Sequence, residues 1–243
     1  MNIKTIAKIK IFSILSIKYR FVDIYFFRIL VIKTLTKKKL EILISQLKET
    51  PRPNAGLEQY TIPGGLAAQM INTAHLQGDI ENKKILDLGC GTGRLTIGSV
   101  LMGAREVIGV DISEDVLKTA KENVKIAEKL TNQRIHDKIK FVQKDVSDWK
   151  GKVDTVIQNP PFGIQTLHAD RIFLKKALEY GEKIYSLHRY YKKTRKFLTR
   201  FIEQNGGRVE KIIKFKFRIP YMFKFHKKPF VIYHVDLFVI SKV

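Results

Sequence analysis

Short apolar segments alternate with amphipathic segments along most of this chain, and no other feature constrains its fold as strongly. Runs rich in Val, Ile and Leu predict buried strands, whereas apolar residues that recur every three or four positions predict helices. This order is typical of a doubly wound α/β fold with a mostly parallel sheet. The predicted strands are Lys84–Leu88, Val107–Val110, Ile139–Gln143, Val153–Ile157, Lys183–Leu187, Arg208–Ile219 and Phe230–Ser241.

Helical patterns precede the first strand and separate most of the others. No helical pattern separates the last two strands, so these strands predict a hairpin that brings one antiparallel strand into the sheet. The predicted helices are Lys39–Lys48, Gly65–Gln77, Leu95–Met102, Ser113–Leu130 with Ser113 as its N-cap, Phe173–Tyr180 and Tyr190–Asn205.

The first 37 residues do not follow this pattern. They are rich in Ile and Phe, but charged residues such as Lys18, Arg20 and Asp23 interrupt every apolar run. None of these runs approaches the roughly 20 residues of a membrane-spanning helix. An amphipathic helix on a membrane surface, an RNA-binding arm and translated upstream sequence are three interpretations of this segment. We favour the third and predict that the folded domain comprises residues 38–243, without membrane association.

The positive charge of the chain is concentrated in its C-terminal part. The formal net charge is +22, and residues 163–243 contain nineteen Lys and Arg against six Asp and Glu, whereas residues 41–162 contain sixteen of each. Such a basic region attracts polyanions, although charge alone does not distinguish RNA from DNA, anionic lipid or a lysine-rich soluble surface. The single cysteine, Cys90, excludes an internal disulfide and fits the cytoplasm. No Cys, His or acidic residues have metal-ligand spacing, so we predict no metal site.

A glycine-rich segment, DLGCGTG at residues 87–93, lies between a predicted strand and a predicted helix. Glycines at this position permit a tight turn and let a ligand lie against the backbone. Asp111 ends the next strand, where a carboxylate can accept hydrogen bonds from both ribose hydroxyls. The spacing G-x-G-x-G and the acid Asp87 favour a cationic sulfonium ligand over a dinucleotide pyrophosphate. Asp145, which ends a third strand, is a weaker candidate for the adenine amino group, because such aspartates also cap loops.

The motif Asn159-Pro160-Pro161-Phe162 follows the fourth strand, at the same edge of the sheet as the glycine loop. The Asn159 side-chain oxygen and the Pro160 carbonyl can accept the two N–H groups of an exocyclic amine and direct its lone pair at a methyl donor. The prolines restrict the backbone conformation, and Phe162 offers a face for stacking a base. Positioning supplies much of the rate in such a reaction, so no strong general base is needed. A proline-rich turn is the alternative interpretation.

With these motifs the chain resembles class I methyltransferases that modify amino groups. It resembles more closely the methyltransferase-like protein 5 family, which methylates adenine N6 in small-subunit ribosomal RNA. The resemblance extends from about residue 38 to the C-terminus. It implies a Rossmann-like class I methyltransferase fold with a seven-stranded, mostly parallel sheet. It is carried by LEQY at residues 57–60, the glycine loop, NPPFG at residues 159–163, YSLH at residues 185–188 and FKFHKK at residues 223–228.

The resemblance implies S-adenosylmethionine as the cofactor and catalysis by residues 159–162. It also implies a small zinc-binding activator of the Trm112 type, which pairs with an edge strand, and Ile139–Gln143 is the candidate strand. Ile62 departs from the hydroxyl residue that the family prefers at this position. Together with the glycine loop, the resemblance gives these candidate cofactor-binding residues: Gln59, Ile62, Asp87, Gly89, Gly91, Thr92, Gly93, Arg94, Asp111, Asp145 and Val146.

The basic C-terminal half then provides candidate contacts to RNA phosphates. We expect His188 and His226 to bind the RNA backbone or to pack against neighbouring residues, because methyl transfer to the amine needs no histidine. Three other functions are alternatives: a glutamine-N5 methyltransferase that acts on a release factor, a non-catalytic RNA-binding protein that retains a cofactor pocket, and a nicotinamide oxidoreductase. The candidate RNA-binding residues are Arg189, Lys192, Lys193, Arg195, His226, Lys227 and Lys228.

Overall fold

The computed structural model describes residues 35–50, 61–161, 169–220 and 230–243. The residues from Thr36 onward belong to one compact unit. Its helices are α1 (Lys37–Ser45), α2 (Gly64–Leu76), α3 (Arg94–Leu101), α4 (Glu114–Thr131), α5 (Ala169–Tyr180) and α6 (Lys192–Gln204). Its strands are β1 (Lys84–Leu88), β2 (Glu106–Asp111), β3 (Ile139–Gln143), β4 (Val153–Gln158), β5 (Gly181–Arg189), β6 (Gly207–Pro220) and β7 (Phe230–Lys242).

The seven strands form one sheet in the order β3-β2-β1-β4-β5-β7-β6. Strands β1 to β5 are parallel, whereas β7 runs antiparallel to both β5 and β6. The predicted fold class and the terminal antiparallel hairpin are therefore confirmed. The strand order reverses between β1 and β4, and in open α/β sheets ligands bind beyond the carboxyl ends of the strands at such a point.

Helices cover both faces of the sheet. On one face α5 and α6 contribute Leu174, Leu178, Leu198 and Ile202 to a buried cluster with the apolar side chains of the strands. On the other side α1 and α2 pack against α3. A Cβ atom at Gly98 of α3 would lie 2.4 Å from Ile71 Cδ1, so a larger residue would require the Ile71 side chain to shift. Among the described residues, no helix combines the length and apolar character of a membrane span.

Several predicted boundaries shift by a few residues. Helix α4 begins at Glu114, and Ser113 occupies its N-cap position without the side-chain hydrogen bond that the sequence predicted. The Ser113 amide instead donates a hydrogen bond to Asp111 Oδ1 at 3.0 Å. Strand β3 lies at one edge of the sheet, as predicted for Ile139–Gln143.

Candidate active site

The glycine loop and the Asn159 motif lie side by side at the carboxyl edge of the sheet. They follow β1 and β4, which are adjacent parallel strands with Leu88 opposite Gln158. Adjacent strands are about 4.8 Å apart, so groups that leave the two strand ends can reach one ligand. Asn159 is half-buried, Pro160 is buried and Pro161 is half-buried. Phe162, the fourth residue of the motif, lies outside the described residues.

The glycine loop has a backbone conformation that requires glycine. Gly89, Gly91 and Gly93 have φ values of 68°, 52° and 81°, in the left-handed region. Hydrogen bonds from the Gly89 and Cys90 amides to the Val110 carbonyl, at 2.8 and 3.0 Å, hold the loop against the end of β2. A Cβ atom at Gly91 would meet nothing within 4 Å. The backbone at Gly91 is therefore open to a ligand.

Asp111 connects the glycine loop to the end of β2. Its Oδ2 accepts a hydrogen bond from the Gly91 amide at 2.9 Å, and its Oδ1 accepts one from the Ser113 amide. Burial raises the pKa of the Asp111 carboxyl, and these backbone hydrogen bonds partly offset that effect. An ionised carboxylate has about four acceptor positions, so each oxygen can still accept a hydroxyl donor.

Asp87 lies at the base of the loop and is 0% exposed. Its Oδ2 accepts a hydrogen bond from the Thr96 hydroxyl at 2.6 Å, whereas Oδ1 is buried without a partner among the described residues. Burial raises the pKa of the Asp87 carboxyl from 3.8 to about 7. A buried acceptor that lacks a donor is costly, and a cationic ligand would offset that cost.

Asp145 and Val146 are less directly placed for a ligand. Asp145 is exposed, and its Oδ1 accepts hydrogen bonds from the Ser147 amide and hydroxyl at 2.8 and 2.7 Å. These bonds lower the pKa of the Asp145 carboxyl. Val146 is buried and packs in the apolar cluster beneath the sheet edge. Asp145 therefore forms the loop turn that was its alternative interpretation, and its contact with adenine remains a prediction.

Arg94 is directed at the N-terminal part of the domain and not along the glycine loop. Its guanidinium is 4% exposed and donates hydrogen bonds to the Ile62 and Leu47 carbonyls, both at 2.8 Å. The side chain therefore holds two backbone segments beside the first turn of α3. Ile62 is buried and contributes a carbonyl to this arrangement. Gln59, which belongs to the same predicted set, lies outside the described residues.

Sequence reasoning missed Asn123, a fully buried side chain of α4. Its Oδ1 accepts from the Lys48 amide at 2.8 Å, and its Nδ2 donates to the Lys48 and Thr92 carbonyls at 3.1 and 2.9 Å. Asn123 thus connects the buried glycine-loop residue Thr92 to the end of α1. The detectable signal was a polar residue on the otherwise apolar face that contains Ala120, Val124 and Ala127.

A chain of buried polar groups lies beside the Asn159 motif. Gln158 Nε2 donates to Ser186 Oγ at 2.8 Å, and Ser186 Oγ lies 2.7 Å from His188 Nε2. Burial lowers the pKa of the His188 imidazole from 6.5 to about 3, so this histidine is neutral at physiological pH. His188 also packs edge-on against Phe238, with ring centroids 5.4 Å apart. This local packing agrees with the expectation that His188 does not act as an acid or base.

The candidate RNA contacts differ in their surroundings. Lys192 and Lys193 are exposed in the first turn of α6, and the Arg189 guanidinium lies 5.0 Å from the centroid of the Tyr191 ring. Arg195 instead donates two hydrogen bonds to the buried Asp236 carboxylate, at 2.9 and 2.7 Å. This ion pair holds α6 against the sheet. His226, Lys227 and Lys228 lie outside the described residues.

Groups of three or more His, Cys, Asp or Glu side chains that could hold a metal ion do not occur in the described part of the chain. The glycine loop, its carboxylates and the Asn159 motif are the polar groups that meet at this edge of the sheet. These groups can bind a cationic, ribose-containing ligand beside two oxygen acceptors that are held close to it.

Comparison with known proteins agrees with this geometry. A family model described as a methyltransferase domain matches residues 79–228. An uncharacterized protein of Methanocaldococcus jannaschii is 43% identical over 85% of this chain and 94% of its own length. The rRNA N(6)-adenosine-methyltransferase METTL5 of Danio rerio is 36% identical over 82% of this chain and 95% of its own length.

A solved structure from Pyrococcus horikoshii, described as a candidate RNA methyltransferase, is 39% identical with a TM-score of 0.77. The match covers 86% of this chain and 99% of that protein. The residues that the family model matches include the glycine loop and the Asn159 motif. The chain belongs to the methyltransferase-like protein 5 family of methyltransferases.

Proposed function

We propose that this protein transfers a methyl group from S-adenosylmethionine to the exocyclic N6 of an adenine in small-subunit ribosomal RNA. The observation that carries the proposal is the pairing of β1 with β4. This pairing brings the glycine loop and Asp87 next to Asn159 and Pro160. The relatives named rRNA N(6)-adenosine-methyltransferase, including the one from Danio rerio, support adenine in ribosomal RNA as the acceptor.

The residues of the site fit S-adenosylmethionine. Among the residues that the structure describes, none donates a hydrogen bond to one buried oxygen of the Asp87 carboxylate, and the backbone at Gly91 has open space beside it. In our proposal Asp87 faces the cationic methionine part and Asp111 accepts the two ribose hydroxyls. Ile112, an apolar side chain that is 52% exposed directly after Asp111, packs on the adenine. When bound, this cofactor supplies an electrophilic methyl group on a sulfonium.

The protein's contribution to the reaction is to orient the amine. Asn159 Oδ1 and the Pro160 carbonyl each accept one N–H of the adenine amino group, which turns the nitrogen lone pair out of the ring plane and toward the methyl group. Phe162 stacks on the base. The nitrogen would take the methyl group as the bond between that carbon and the sulfur breaks, which would leave a neutral thioether, and the extra proton would pass from the nitrogen to water. His188 is a poor base for this proton, because burial lowers the pKa of its imidazole to about 3.

The function is tested by incubating the protein, with its activator, with small-subunit RNA and a methyl-labelled cofactor. The expected product after nuclease digestion is labelled N6-methyladenosine. Label in guanine or cytosine would contradict the choice of acceptor. Label in a glutamine of a protein would instead support the glutamine-N5 alternative.

The affinity for S-adenosylmethionine is expected to fall as the pH decreases from 7 to 5. In the free protein the pKa of Asp87 is raised to about 7, so below that pH the carboxyl is protonated, and binding of a cation must release the proton. One released proton weakens the apparent affinity by up to about tenfold per pH unit. Calorimetric titration at several pH values measures this slope.

The matched variant is Asp87→Asn, which keeps the size and the Thr96 contact but cannot ionise. It should bind the cofactor more weakly at pH 7 and show no slope between pH 5 and 7. An unchanged slope in this variant would mean that another group takes up the proton, and Asp87 would then not face the cationic part of the ligand.

We infer that a small zinc-binding activator of the Trm112 type pairs with β3 in the cytoplasm. This strand is an edge of the sheet, and its half-buried Phe141 and Val142 make an uncovered edge prone to aggregation. The Phe141 ring also lies next to Gly93, where a Cβ atom would be 3.2 Å from it, so an ordered edge would support the glycine loop.

Co-expression with the activator from the same organism should yield a one-to-one complex that has a higher melting temperature than the chain alone. Size-exclusion chromatography and thermal denaturation measure the two effects. A chain that remains monomeric in the presence of the activator, and that is fully active by itself, would contradict the inference.

A further inference from the structure

Four residues form an aromatic and basic surface where the terminal hairpin meets the end of β5. Tyr190 directly follows β5, and its amide donates to the His234 carbonyl of β7 at 3.0 Å. His234 lies opposite Lys216 on β6, and Lys214 follows two residues earlier on the same strand face. We call Tyr190, Lys214, Lys216 and His234 the hairpin patch. His234 and both lysines are exposed, and Tyr190 is half-buried.

The positive charge of the hairpin patch is not balanced by neighbouring acids. Lys214 lies opposite Asp236, but this carboxylate is 1% exposed and accepts both of its short hydrogen bonds from Arg195. Within the described ranges, no acidic side chain lies at ion-pair distance from Lys214 or Lys216. Lys214 and Lys216 lie two residues apart on the same face of β6, and two neighbouring cations without an adjacent acid suit an anionic ligand.

The rings of the hairpin patch add a second kind of contact. The Lys214 ammonium lies 3.8 Å from the centroid of the Tyr190 ring, and the His234 ring centroid lies 6.4 Å from the same centroid. A cation above a ring that is only half-buried is held weakly. A flat ligand can therefore replace the ammonium on the ring while the ammonium moves to an adjoining anion. An aromatic base linked to a phosphate satisfies both contacts at once.

The position of the hairpin patch relates it to the candidate active site. Ser186 of β5 lies opposite Gln158, the residue before Asn159, and Tyr190 is four residues farther along. At about 3.3 Å per residue and about 4.8 Å between strands, the patch lies roughly 15 Å from Asn159 at the same edge of the sheet. A nucleotide that flanks the target adenine reaches this distance.

We propose that the hairpin patch binds an unpaired nucleotide near the target, with the base on Tyr190 and the phosphates on Lys214 and Lys216. This inference rests on the proposed function for the identity of the polymer as RNA. The rings favour a single strand over a duplex, since paired bases are stacked within the helix and present only phosphates to such a surface. The patch thereby selects a target adenine in an unpaired region.

Equilibrium binding of the full chain to a short unstructured RNA tests the role of the lysines. The double variant Lys214→Ala/Lys216→Ala should reduce the slope of log affinity against log salt by about 1.4, because each phosphate contact in a single strand contributes about 0.7. The matched control is Lys121→Ala/Lys150→Ala, which removes the same charge at exposed positions on α4 and before β4. The control should leave the slope nearly unchanged, and equal slopes in the two double variants would overturn the proposal.

A pair of variants at Tyr190 tests stacking. Tyr190→Phe keeps the ring and should bind the unstructured RNA like the original protein, whereas Tyr190→Leu should lose roughly tenfold in affinity. The same RNA annealed to its complement should show no difference between the two variants. Equal loss on single strand and duplex, or equal binding by both variants, would overturn the stacking contact, and stronger binding to anionic vesicles than to RNA would overturn the choice of ligand.

These binding measurements do not depend on methyl transfer. If the patch variants bound RNA as well as the original protein does, and the original protein methylated adenine, only the hairpin-patch inference would be contradicted. If the patch variants weakened RNA binding but the methyl group were found on another acceptor, only the proposed target atom would be contradicted.

Discussion

Replacing Asn159 with Ala should lower kcat for RNA methylation by about 10²- to 10³-fold and leave the affinities for cofactor and RNA nearly unchanged. The substitution removes one of the two acceptors that orient the amine, and the loss of one such preorganised hydrogen bond has an effect of this size. Asn159 is half-buried at the end of a strand that is paired on both sides, so the fold should tolerate the change. Single-turnover kinetics with saturating cofactor measures the chemical step.

Asn159→Asp is the informative companion variant. A carboxylate retains an oxygen acceptor at the same position, so this variant should keep more activity than Asn159→Ala. Thermal denaturation of both variants controls for folding. If Asn159→Ala kept most of its activity, or if RNA binding were lost together with catalysis, Asn159 would not have the orienting role.

Replacing Asp111 with Ala should weaken S-adenosylmethionine binding by about 10²- to 10⁴-fold. Two hydrogen bonds from ribose hydroxyls to an ionised carboxylate account for an effect of this size. The substitution also removes the acceptor for the Gly91 amide, which is 2.9 Å from Asp111 Oδ2, and thereby loosens the glycine loop. Isothermal titration with the cofactor measures the dissociation constant.

Two aspartates serve as controls for this prediction. Asp148→Ala removes an exposed charge close to the same edge and should change cofactor affinity less than threefold. Asp145→Ala should have an intermediate effect, because the Asp145 carboxylate is already occupied by Ser147. An Asp111→Ala variant that binds like the Asp148 variant would contradict the proposed ribose contact.

Two strands of the parallel part of the sheet could be predicted from the sequence with both ends. Strands β1 and β3 have the predicted ends, because their apolar runs are short and bounded by polar residues. Strand β5 is longer than predicted at both ends, since Gly181 pairs with Val153 and Arg189 pairs with Val235. These pairings depend on distant segments and leave no local signal. The sequence pattern also places Tyr190 at the start of a helix, because its partner strand is distant in sequence. In the structure the Tyr190 amide instead extends the sheet.

The end of α1 shows how tertiary contacts override helical periodicity. The pattern predicted a helix to Lys48, but α1 ends at Ser45. The Lys48 amide and carbonyl both bond to the Asn123 side chain, which replaces the helical hydrogen bonds at this point. A buried asparagine on α4 is visible in the sequence, but its partner 75 positions away is not.

The candidate site was predicted as a set of motifs, and the strand order explains why these motifs lie together. Asp87, Gly91 and Asp111 lie at neighbouring strand ends, as parallel strands require. The roles of Arg94 and Arg195 could not be predicted from the sequence, because a basic residue near a motif looks the same in the sequence whether it faces a ligand or a buried group. Arg94 bonds to two backbone carbonyls and Arg195 bonds to Asp236.

A crystal structure of the protein with S-adenosylhomocysteine and an RNA that contains the target adenosine would test the central claim most directly. We expect Asn159 Oδ1 and the Pro160 carbonyl oxygen each within about 3 Å of the adenine N6 nitrogen, which should itself face the sulfur of the bound cofactor product. An Asn159 amide that points away from N6, with no space beside it for a planar ring, would contradict the account.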